Sequence, residues 1–325
     1  MTLLSLDNIP ALQSEVRALA AERGAVILAH NYQLPEVQEV ADFVGDSLGL
    51  SQQAAATDAE VIAFCGVHFM AETASILSPD KTVLLPDPDA GCSLADSITA
   101  DQLRAWKAQH PRALVVMYVN TTADVKAETD YCVTSANAVA VVEHIYREHG
   151  EDTEILFGPD MFLGAYVEKM TGRPMHVWDG ECHVHAGIRP RDIAQMRSAH
   201  PGADFLIHPE CGCSTSVMEY VAAGDVSADG VHMLSTGGML GYARSAPSGA
   251  TAIVATEVGM LHPLQMARPD VDFVAANEAA SCRFMKMITL PKLRDALRAM
   301  SPEVKVSEAV AERARAPIER MVAIG

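Results

Sequence analysis

The stretch GCSLADSITADQLRAWKAQHPRALVVMY, residues 91–118, returns 90 residues later as ECHVHAGIRPRDIAQMRSAHPGADFLIH, residues 181–208. Aligned without a gap, the two copies match at Cys92 and Cys182, His110 and His200, and Tyr118 and His208. A third, weaker copy begins at Cys282. The repeat indicates that the chain consists of three similar units, each with a cysteine at one shared position.

The cysteines are the most informative residues of the repeat. Of seven cysteines, only Cys92, Cys182 and Cys282 occupy the shared position. A single cysteine is most often a buried apolar residue, and a shared position can also reflect inherited core packing. These three, however, lie in loop-like surroundings rather than inside apolar runs. Three thiolates from distant parts of the chain favour a cubane iron–sulfur cluster in which one iron has no protein ligand.

A zinc site stays open as an alternative. Structural zinc usually takes four ligands, often from CxxC pairs, and the sequence contains no CxxC. The CxC of Cys211 and Cys213 is a rival ligand pair, which together with histidines would suit a zinc hydrolase. Because the cysteine number is odd and we expect a reducing compartment, we predict no disulfide bonds.

The composition favours a cytoplasmic protein that acts on small molecules. Of 325 residues 49% are hydrophobic, and the formal net charge is −18. Nucleic acids and anionic membranes attract basic patches, so we expect neither as a partner. The opening MTLLSLDNIPAL lacks the basic region of a secretory signal. No uncharged apolar run approaches the length of about 18 residues that predicts a membrane span.

Short apolar runs alternate with helical patterns, which predicts an α/β class with parallel sheets. The expected units are residues 1–110, 111–200 and 201–300, and residues 301–325 close the fold with a strand over Val304–Val306 and helices. One helix is predicted from Pro35 through Leu48, because its apolar residues follow helical spacing. The predicted strands are Ala25–Ala29, Val61–Phe64, Thr82–Leu85, Ala113–Val119, Glu154–Phe157, Met175–Trp178, Asp204–Ile207, Gly230–Leu234, Ala252–Ala255 and Val271–Ala275.

Each unit's first strand ends in two polar residues spaced by two positions. The pairs are His30 and Tyr32, Tyr118 and Asn120, and His208 and Glu210. Residues i and i+2 of an extended chain point to the same side, and ligands bind at the carboxyl ends of parallel strands. We therefore predict a shared site at the same end of the units as the three cysteines.

The residue types in these pairs suit proton transfer and anion binding. His30, Tyr32, Tyr118 and Glu210 are candidate catalytic groups that donate or accept protons. The substrate-binding candidates are His30, Tyr118, Val119, Asn120, His208, Pro209 and Glu210. Negatively charged substrates beside Glu210 would raise its pKa.

Hydroxyl groups near helix boundaries are further candidates for binding carboxylate or phosphate. Ser47 and Ser135 each lie 17 residues after the first strand-end residue of their unit, and Ser235 and Thr236 offer the same groups in the third unit. A serine in such a loop is more often a simple turn or cap residue, and a histidine near a strand is more often a core residue. On that basis His68, His183, His185 and His232 are assigned structural or supporting roles.

Taken together, these residues resemble the quinolinate synthase family of NAD biosynthesis. The resemblance covers nearly the whole chain, in the order found in the family. The matching segments are AHNYQ (29–33), GDS (45–47), GCSLADS (91–97), YVNTTADVKAETD (118–130), TSANA (134–138), WDGECHVH (178–185), HPEC (208–211), STGGM (235–239), ATEVGM (255–260) and CRFMKMITL (282–290).

The resemblance implies three α/β units around a pseudo-threefold axis, with a central [4Fe–4S] cluster bound by Cys92, Cys182 and Cys282. It implies condensation of iminoaspartate with dihydroxyacetone phosphate to quinolinate, with release of phosphate and two waters. It also implies functional coupling to L-aspartate oxidase, which produces iminoaspartate. The chain departs from those members that carry CxxCxxC at the third ligand, because positions 276 and 279 are alanine.

A cluster-bearing sensor without turnover is the alternative from another functional class. The acid–base residues at the strand ends favour an enzyme, and no basic helix that would bind nucleic acid is visible.

Overall fold

Three parallel four-stranded sheets with the same strand order form the core. The computed structural model describes residues 8–223 and 228–324. In each sheet the unit's second strand lies at one edge, followed by the first, third and fourth strands. The predicted α/β class with three similar parallel-sheet units is confirmed. The strands are β1 (Ala25–His30), β2 (Phe43–Gly45), β3 (Val61–Cys65), β4 (Thr82–Leu84), β5 (Leu114–Tyr118), β6 (Tyr131–Val133), β7 (Ile155–Gly158), β8 (His176–Val177), β9 (Asp204–Ile207), β10 (Val231–Met233), β11 (Thr251–Ala255) and β12 (Asp272–Ala275).

Helices connect successive strands, as parallel pairing requires. Within the described ranges, no helix is both long and apolar enough to cross a bilayer. The helices are α1 (Ile9–Glu22), α2 (Pro35–Gln38), α3 (Ser47–Ala56), α4 (His68–Leu77), α5 (Ala100–Gln109), α6 (Ala123–Lys126), α7 (Ala138–His149), α8 (Met161–Thr171), α9 (Pro190–Ala199), α10 (Ser214–Ala223), α11 (Thr236–Ser245), α12 (Leu261–Ala267), α13 (Leu290–Ala299) and α14 (Glu308–Ala323).

The two inner strands of each sheet are buried along most of their length. All five residues of β3 and all four of β7 are buried, the pattern expected when both faces of a parallel sheet are covered. The ten predicted strands are present, with bounds that differ by at most one residue at each end. The predicted unit boundaries stay a prediction, although each sheet lies within one of the three ranges.

The predicted helix from Pro35 to Leu48 is wrong. Helix α2 ends at Gln38, Phe43–Gly45 forms the edge strand β2 beside β1, and Leu48 lies in the next helix, α3. The carboxylate of Asp42 accepts a hydrogen bond from the backbone N–H of Ile27 at 2.7 Å, which ties the start of β2 to β1. Pairing with β1 therefore overrides the helical spacing. Strand β6, which was also missed, is likewise only three residues long.

The closing segment also differs from its prediction. Val304–Val306 forms no strand, and the contact is a single antiparallel bridge between Leu84 and Glu303, beside a bond from Val304 N to Val83 O of 2.8 Å. One helix follows, α14, whose Met321 carbonyl accepts a bond from the buried Asn137 side chain at 2.9 Å. The tail thus contacts both the first and the second unit.

Candidate active site

A pocket lies where the first strands of the three units end. It encloses about 720 Å³ of empty space, its mouth included. His30 is the last residue of β1, Tyr118 is the last of β5, and His208 follows β9. The three strand-end pairs all line this pocket: His30 and Tyr32, Tyr118 and Asn120, His208 and Glu210.

Two of the pairs share a backbone contact that sets the histidine tautomer. The N–H of Tyr32 donates to Nδ1 of His30 at 3.2 Å, and the N–H of Glu210 donates to Nδ1 of His208 at 3.4 Å. Burial lowers the pKa of each histidine to about 3, so both rings are neutral. Because Nδ1 accepts, Nε2 carries the proton. In His208 it donates to Oγ of Ser135 at 3.1 Å.

Glu210 is a buried carboxylate with a close histidine partner. Its Oε2 lies 2.9 Å from Nδ1 of His185 and 3.6 Å from Nδ1 of His208. Burial would raise the pKa of Glu210, but the positive charge of the neighbouring His185 lowers it below its usual value. Burial would lower the pKa of His185, yet Tyr32, Cys182 and Glu210 raise it well above normal. The two groups therefore form a buried ion pair.

His185, which the sequence indicated only as a structural or supporting residue, lines the pocket in direct contact with Glu210. Nε2 of His185 lies 2.9 Å from Oγ1 of Thr256, and that hydroxyl lies 2.6 Å from the Tyr32 hydroxyl. Tyr32, Thr256, His185 and Glu210 thus form a continuous chain of polar contacts. Burial raises the pKa of Tyr32, so its hydroxyl stays protonated. The sequence does contain one signal that His185 belongs to the site, because His185 lies three residues after the predicted metal ligand Cys182.

Three hydroxyls come to equivalent places beside the second strands. His30 pairs with Gly45 and Tyr118 with Val133, so Ser47 and Ser135 both lie two residues beyond the pairing. In the third unit Ile207 pairs with Met233. By the same register, the strand-end residue His208 stands beside Leu234, and Thr236 lies two residues beyond Leu234. All three hydroxyl residues line the pocket. Oγ1 of Thr236 accepts a hydrogen bond from the Asn31 side chain at 2.9 Å.

The shared cysteines have the same local conformation. The carbonyl of each accepts a backbone hydrogen bond from the residue four positions later, at 3.1, 2.8 and 3.1 Å for Cys92, Cys182 and Cys282. All three line the pocket and are partly exposed. The other free cysteines, Cys65 and Cys132, are fully buried in the core.

The donor set of the three cysteines fits a cluster. Burial raises the pKa of the Cys92 thiol, and the charges of Cys182 and Cys282 raise it further. Burial and the charge of Cys182 also raise the pKa of the Cys282 thiol. Thiolates that raise each other's pKa lie close together, and a bound cation would relieve their repulsion. The cluster itself stays a prediction.

A second metal grouping overlaps with this one. One ligand atom each from Cys182, His185 and Glu210 lies within 4.8 Å of the others, so these residues could hold a single ion. The rival CxC pair offers no free thiolates, because Cys211 and Cys213 form a buried disulfide. The prediction of no disulfides is therefore wrong. The two Cα atoms, 5.1 Å apart, lie within disulfide reach.

A buried ion pair supports the third cysteine. The carboxylate of Glu257 is fully buried and accepts backbone hydrogen bonds from Cys282 at 2.9 Å and Gly259 at 2.7 Å. The ammonium group of Lys286 lies 3.0 Å from the same carboxylate and also donates to the carbonyl of Tyr32. Neither Glu257 nor Lys286 was singled out from the sequence, although both lie in segments that match the family.

Most of the predicted site residues line the pocket. The twelve that do are His30, Tyr32, Ser47, Cys92, Tyr118, Asn120, Ser135, Cys182, His208, Glu210, Thr236 and Cys282. The three that do not, all within the described residues, are Val119, Pro209 and Ser235. Ser235 instead caps α11, where its Oγ accepts from the N–H of Gly238 at 3.1 Å. The roles of all fifteen stay predictions.

The pocket has no lysine or arginine among its lining residues, all of which the structure describes. Two helix N-termini face the pocket, because α3 begins at Ser47 and α11 begins at Thr236, and the pocket-lining carboxylate of Asp46 caps α3. Free backbone N–H groups at such ends bind anions. Arg244 is exposed in the last turn of α11, at the opposite end of that helix.

Comparisons with known proteins agree with this arrangement. The family model described as Quinolinate synthetase A protein matches residues 14–323. A quinolinate synthase of Mycobacterium sp. (strain KMS) is 58% identical over 313 residues, which cover 96% of this chain and 91% of that protein. A quinolinate synthase of Mycobacterium tuberculosis (strain ATCC 25618 / H37Rv) is 56% identical over 321 residues, covering 98% and 90%.

Proposed function

The chain belongs to the quinolinate synthase family of NAD biosynthesis, and from this membership we propose that it condenses iminoaspartate with dihydroxyacetone phosphate. One bond between the two carbon chains and one ring C–N bond form, and one phosphate and two waters leave. The observation that carries the proposal is the meeting, in one pocket, of a cysteine from each repeat with the polar pair from each strand end.

The pocket's unpaired polar atoms suit these substrates. Oδ1 of Asn120 and Oε1 of Glu210 are buried acceptors with no hydrogen-bond partner among the described residues. Such atoms cost free energy until a donor reaches them, and the imine N–H and the ketose hydroxyl are donors. The carboxylates and the phosphate of the substrates can accept hydrogen bonds from the hydroxyls of Ser47, Ser135 and Thr236. The N-termini of α3 and α11 offer backbone N–H donors as well.

The protonation states divide the groups into one base and several acids. Glu210 is ionised and accepts a proton from substrate, while the protonated His185 stabilises its charge. Tyr32 and Tyr118 are protonated because burial raises the pKa of each, so their hydroxyls can donate hydrogen bonds to leaving oxygens. The chain of contacts through Thr256 lets His185 return a proton to Tyr32.

Cys92, Cys182 and Cys282 are the residues that would hold a [4Fe–4S] cluster. When bound, the cluster supplies a Lewis acid through the iron that has no cysteine ligand. The neutral Nε2–H donor of His30 would orient a substrate oxygen without adding a charge that competes with the metal, while that of His208 positions the Ser135 hydroxyl.

Functional coupling to L-aspartate oxidase is part of this proposal, since iminoaspartate is unstable in water and gains from a nearby source. A cytoplasmic location and the absence of nucleic-acid partners stay predictions.

The test is an anaerobic assay of quinolinate formation from the two substrates, together with iron and sulfide analysis. We expect about four irons and four sulfides per chain. Cys92→Ala, Cys182→Ala and Cys282→Ala should each lose iron and activity. Cys132→Ala, which alters a buried thiol outside the pocket, is the matched control and should keep both.

Three results would overturn parts of the proposal. A full iron content in Cys182→Ala would exclude Cys182 as a ligand and with it the three-cysteine cluster. One zinc per chain in place of iron would also exclude the cluster, and its loss in Cys182→Ala would favour the grouping of Cys182, His185 and Glu210. A protein with a complete cluster that makes no quinolinate would exclude the proposed reaction.

A further inference from the structure

A second set of metal-ligating side chains lies away from the pocket. His110 immediately follows α5, Glu154 immediately precedes β7, and His176 is the first residue of β8. One ligand atom from each lies within 4.8 Å of the others. We propose that His110, Glu154 and His176 form a binding site for a divalent transition ion of the zinc type, separate from the active-site pocket.

The two histidines converge on one carboxylate oxygen. Oε1 of Glu154 lies 2.5 Å from Nδ1 of His110 and 2.8 Å from Nε2 of His176. The two rings have centroids 4.1 Å apart. No lysine or arginine pairs with Glu154 in the part of the chain that the structure describes. The carboxylate is therefore shared by two imidazoles alone, and a cation between them has no competitor of like charge.

Small movements would give a coordination site. Zinc binds imidazole nitrogen and carboxylate oxygen at about 2.0–2.2 Å, so ligand atoms around a tetrahedral ion lie roughly 3.3 Å apart. The two distances from Glu154 to the histidine nitrogens are shorter than this ligand–ligand distance by less than about 1 Å. Shorter distances are expected when a proton, rather than a metal ion, lies between the two atoms. Two imidazoles and one carboxylate suit zinc, cobalt and nickel rather than magnesium or calcium.

The surrounding structure holds the ligands in place. Trp106 lies four residues before His110 on one face of α5, and Trp178 lies two residues after His176 on one side of the extended chain. The two indole rings pack together, with centroids 5.3 Å apart. This contact fixes α5 against β8. The partial negative charge at the C-terminus of α5, where His110 lies, also favours a cation.

The repeat does not reproduce the site in the third unit. The repeat counterpart of His110 is His200, which follows the last residue of α9 with nearly the same backbone angles. By strand register, Thr251 and Val274 stand in the third unit where the second has Glu154 and His176. His200 therefore has no carboxylate or second histidine in the corresponding places, which makes His200→Ala a matched control.

The histidine–glutamate site also lies away from the active-site pocket. Glu154 and His176 lie at the amino-terminal ends of β7 and β8, whereas the pocket lies at the carboxyl ends of the strands. An ion here would tie together the end of α5 and the starts of β7 and β8. We expect quinolinate formation to be unchanged in His176→Ala.

The experiment is a titration of the full chain, with its active-site metal in place, with Zn²⁺ and separately with Co²⁺. Trp106 and Trp178 are the only tryptophans of the chain, so bound Co²⁺ should quench tryptophan emission. A histidine–carboxylate Co²⁺ site should also lack the sulfur charge-transfer absorption of a thiolate site. His176→Ala should lower Zn²⁺ affinity by at least about 100-fold, because even the loss of an outer partner costs 10–100-fold. His200→Ala should match the parent.

Glu154→Gln serves as a second variant in case His176→Ala does not fold, as judged by circular dichroism. It should likewise lose one equivalent of bound Zn²⁺ and the rise in melting temperature that Zn²⁺ gives the parent. The proposal is overturned if a folded His176→Ala or Glu154→Gln binds Zn²⁺ as the parent does, or if Co²⁺ leaves the emission of the parent unchanged.

Discussion

Lys286→Met should destabilise the protein through the buried carboxylate that it leaves behind. Glu257 is fully buried, and the ammonium group of Lys286 is the cation beside it, at 3.0 Å. Methionine keeps most of the side-chain volume but removes the positive charge, so an ionised carboxylate would remain in the interior without a counter-charge.

The size of the effect follows from this geometry. Removing one partner of a buried ion pair costs about 3–5 kcal/mol. The backbone N–H groups of Gly259 and Cys282 still satisfy part of the Glu257 carboxylate, so we expect about 3 kcal/mol. The matched control is Lys305→Met, since Lys305 contacts Glu303 at 4.0 Å with 68% of its side chain exposed. Loss of such a surface pair should change stability by less than about 0.5 kcal/mol.

The assay is urea-induced unfolding of the metal-free chain, followed by circular dichroism and compared at equal m-value. Glu257→Gln combined with Lys286→Met should be less destabilised than the sum of the two single variants, because the unpaired charge is gone. Equal unfolding midpoints for Lys286→Met and Lys305→Met would refute the reasoning.

The remaining predictions concern the pocket. Glu210→Gln should lower kcat on the order of 10²–10⁴-fold by removing the base; steady-state kinetics with unchanged KM would support this, and an unchanged kcat would contradict it. Thr256→Val should lower kcat by roughly 10-fold by interrupting the contact between Tyr32 and His185, while Thr256→Ser should retain activity. The pKa of His208 is about 3 in the folded protein and 6.5 when exposed, so between these values the unfolded chain binds the extra proton. Stability should therefore fall with decreasing pH, by up to about 1.4 kcal/mol per pH unit for this group. His208→Gln should give a shallower slope in unfolding experiments between pH 6.5 and 3, and an identical slope would exclude His208 as the source.

Much of the site could be predicted from the sequence because the repeat and the period-two spacing are local signals. His30 with Tyr32, and His208 with Glu210, could be paired once the strands were recognised. Their meeting in one pocket follows from the rule that parallel strands end at the same edge. Ser235 and Thr236 show where this reasoning stops. Adjacent hydroxyls in one loop look alike in sequence, and only the register of β10 decides that Ser235 caps α11 while Thr236 lines the pocket.

The sequence by itself determined the three-unit α/β plan, ten of the described strands and the set of cysteines that share one repeat position. Those features depend on composition, spacing and periodicity, which are properties of neighbouring residues. Only the tertiary structure decided that His185 pairs with Glu210, that Lys286 neutralises Glu257, and that His110 meets His176 across Glu154. These partners are separated by 25, 29 and 66 positions in the chain. Charge pairing acts over a few ångströms in space, so chain packing, rather than any local pattern, selects which groups ionise together.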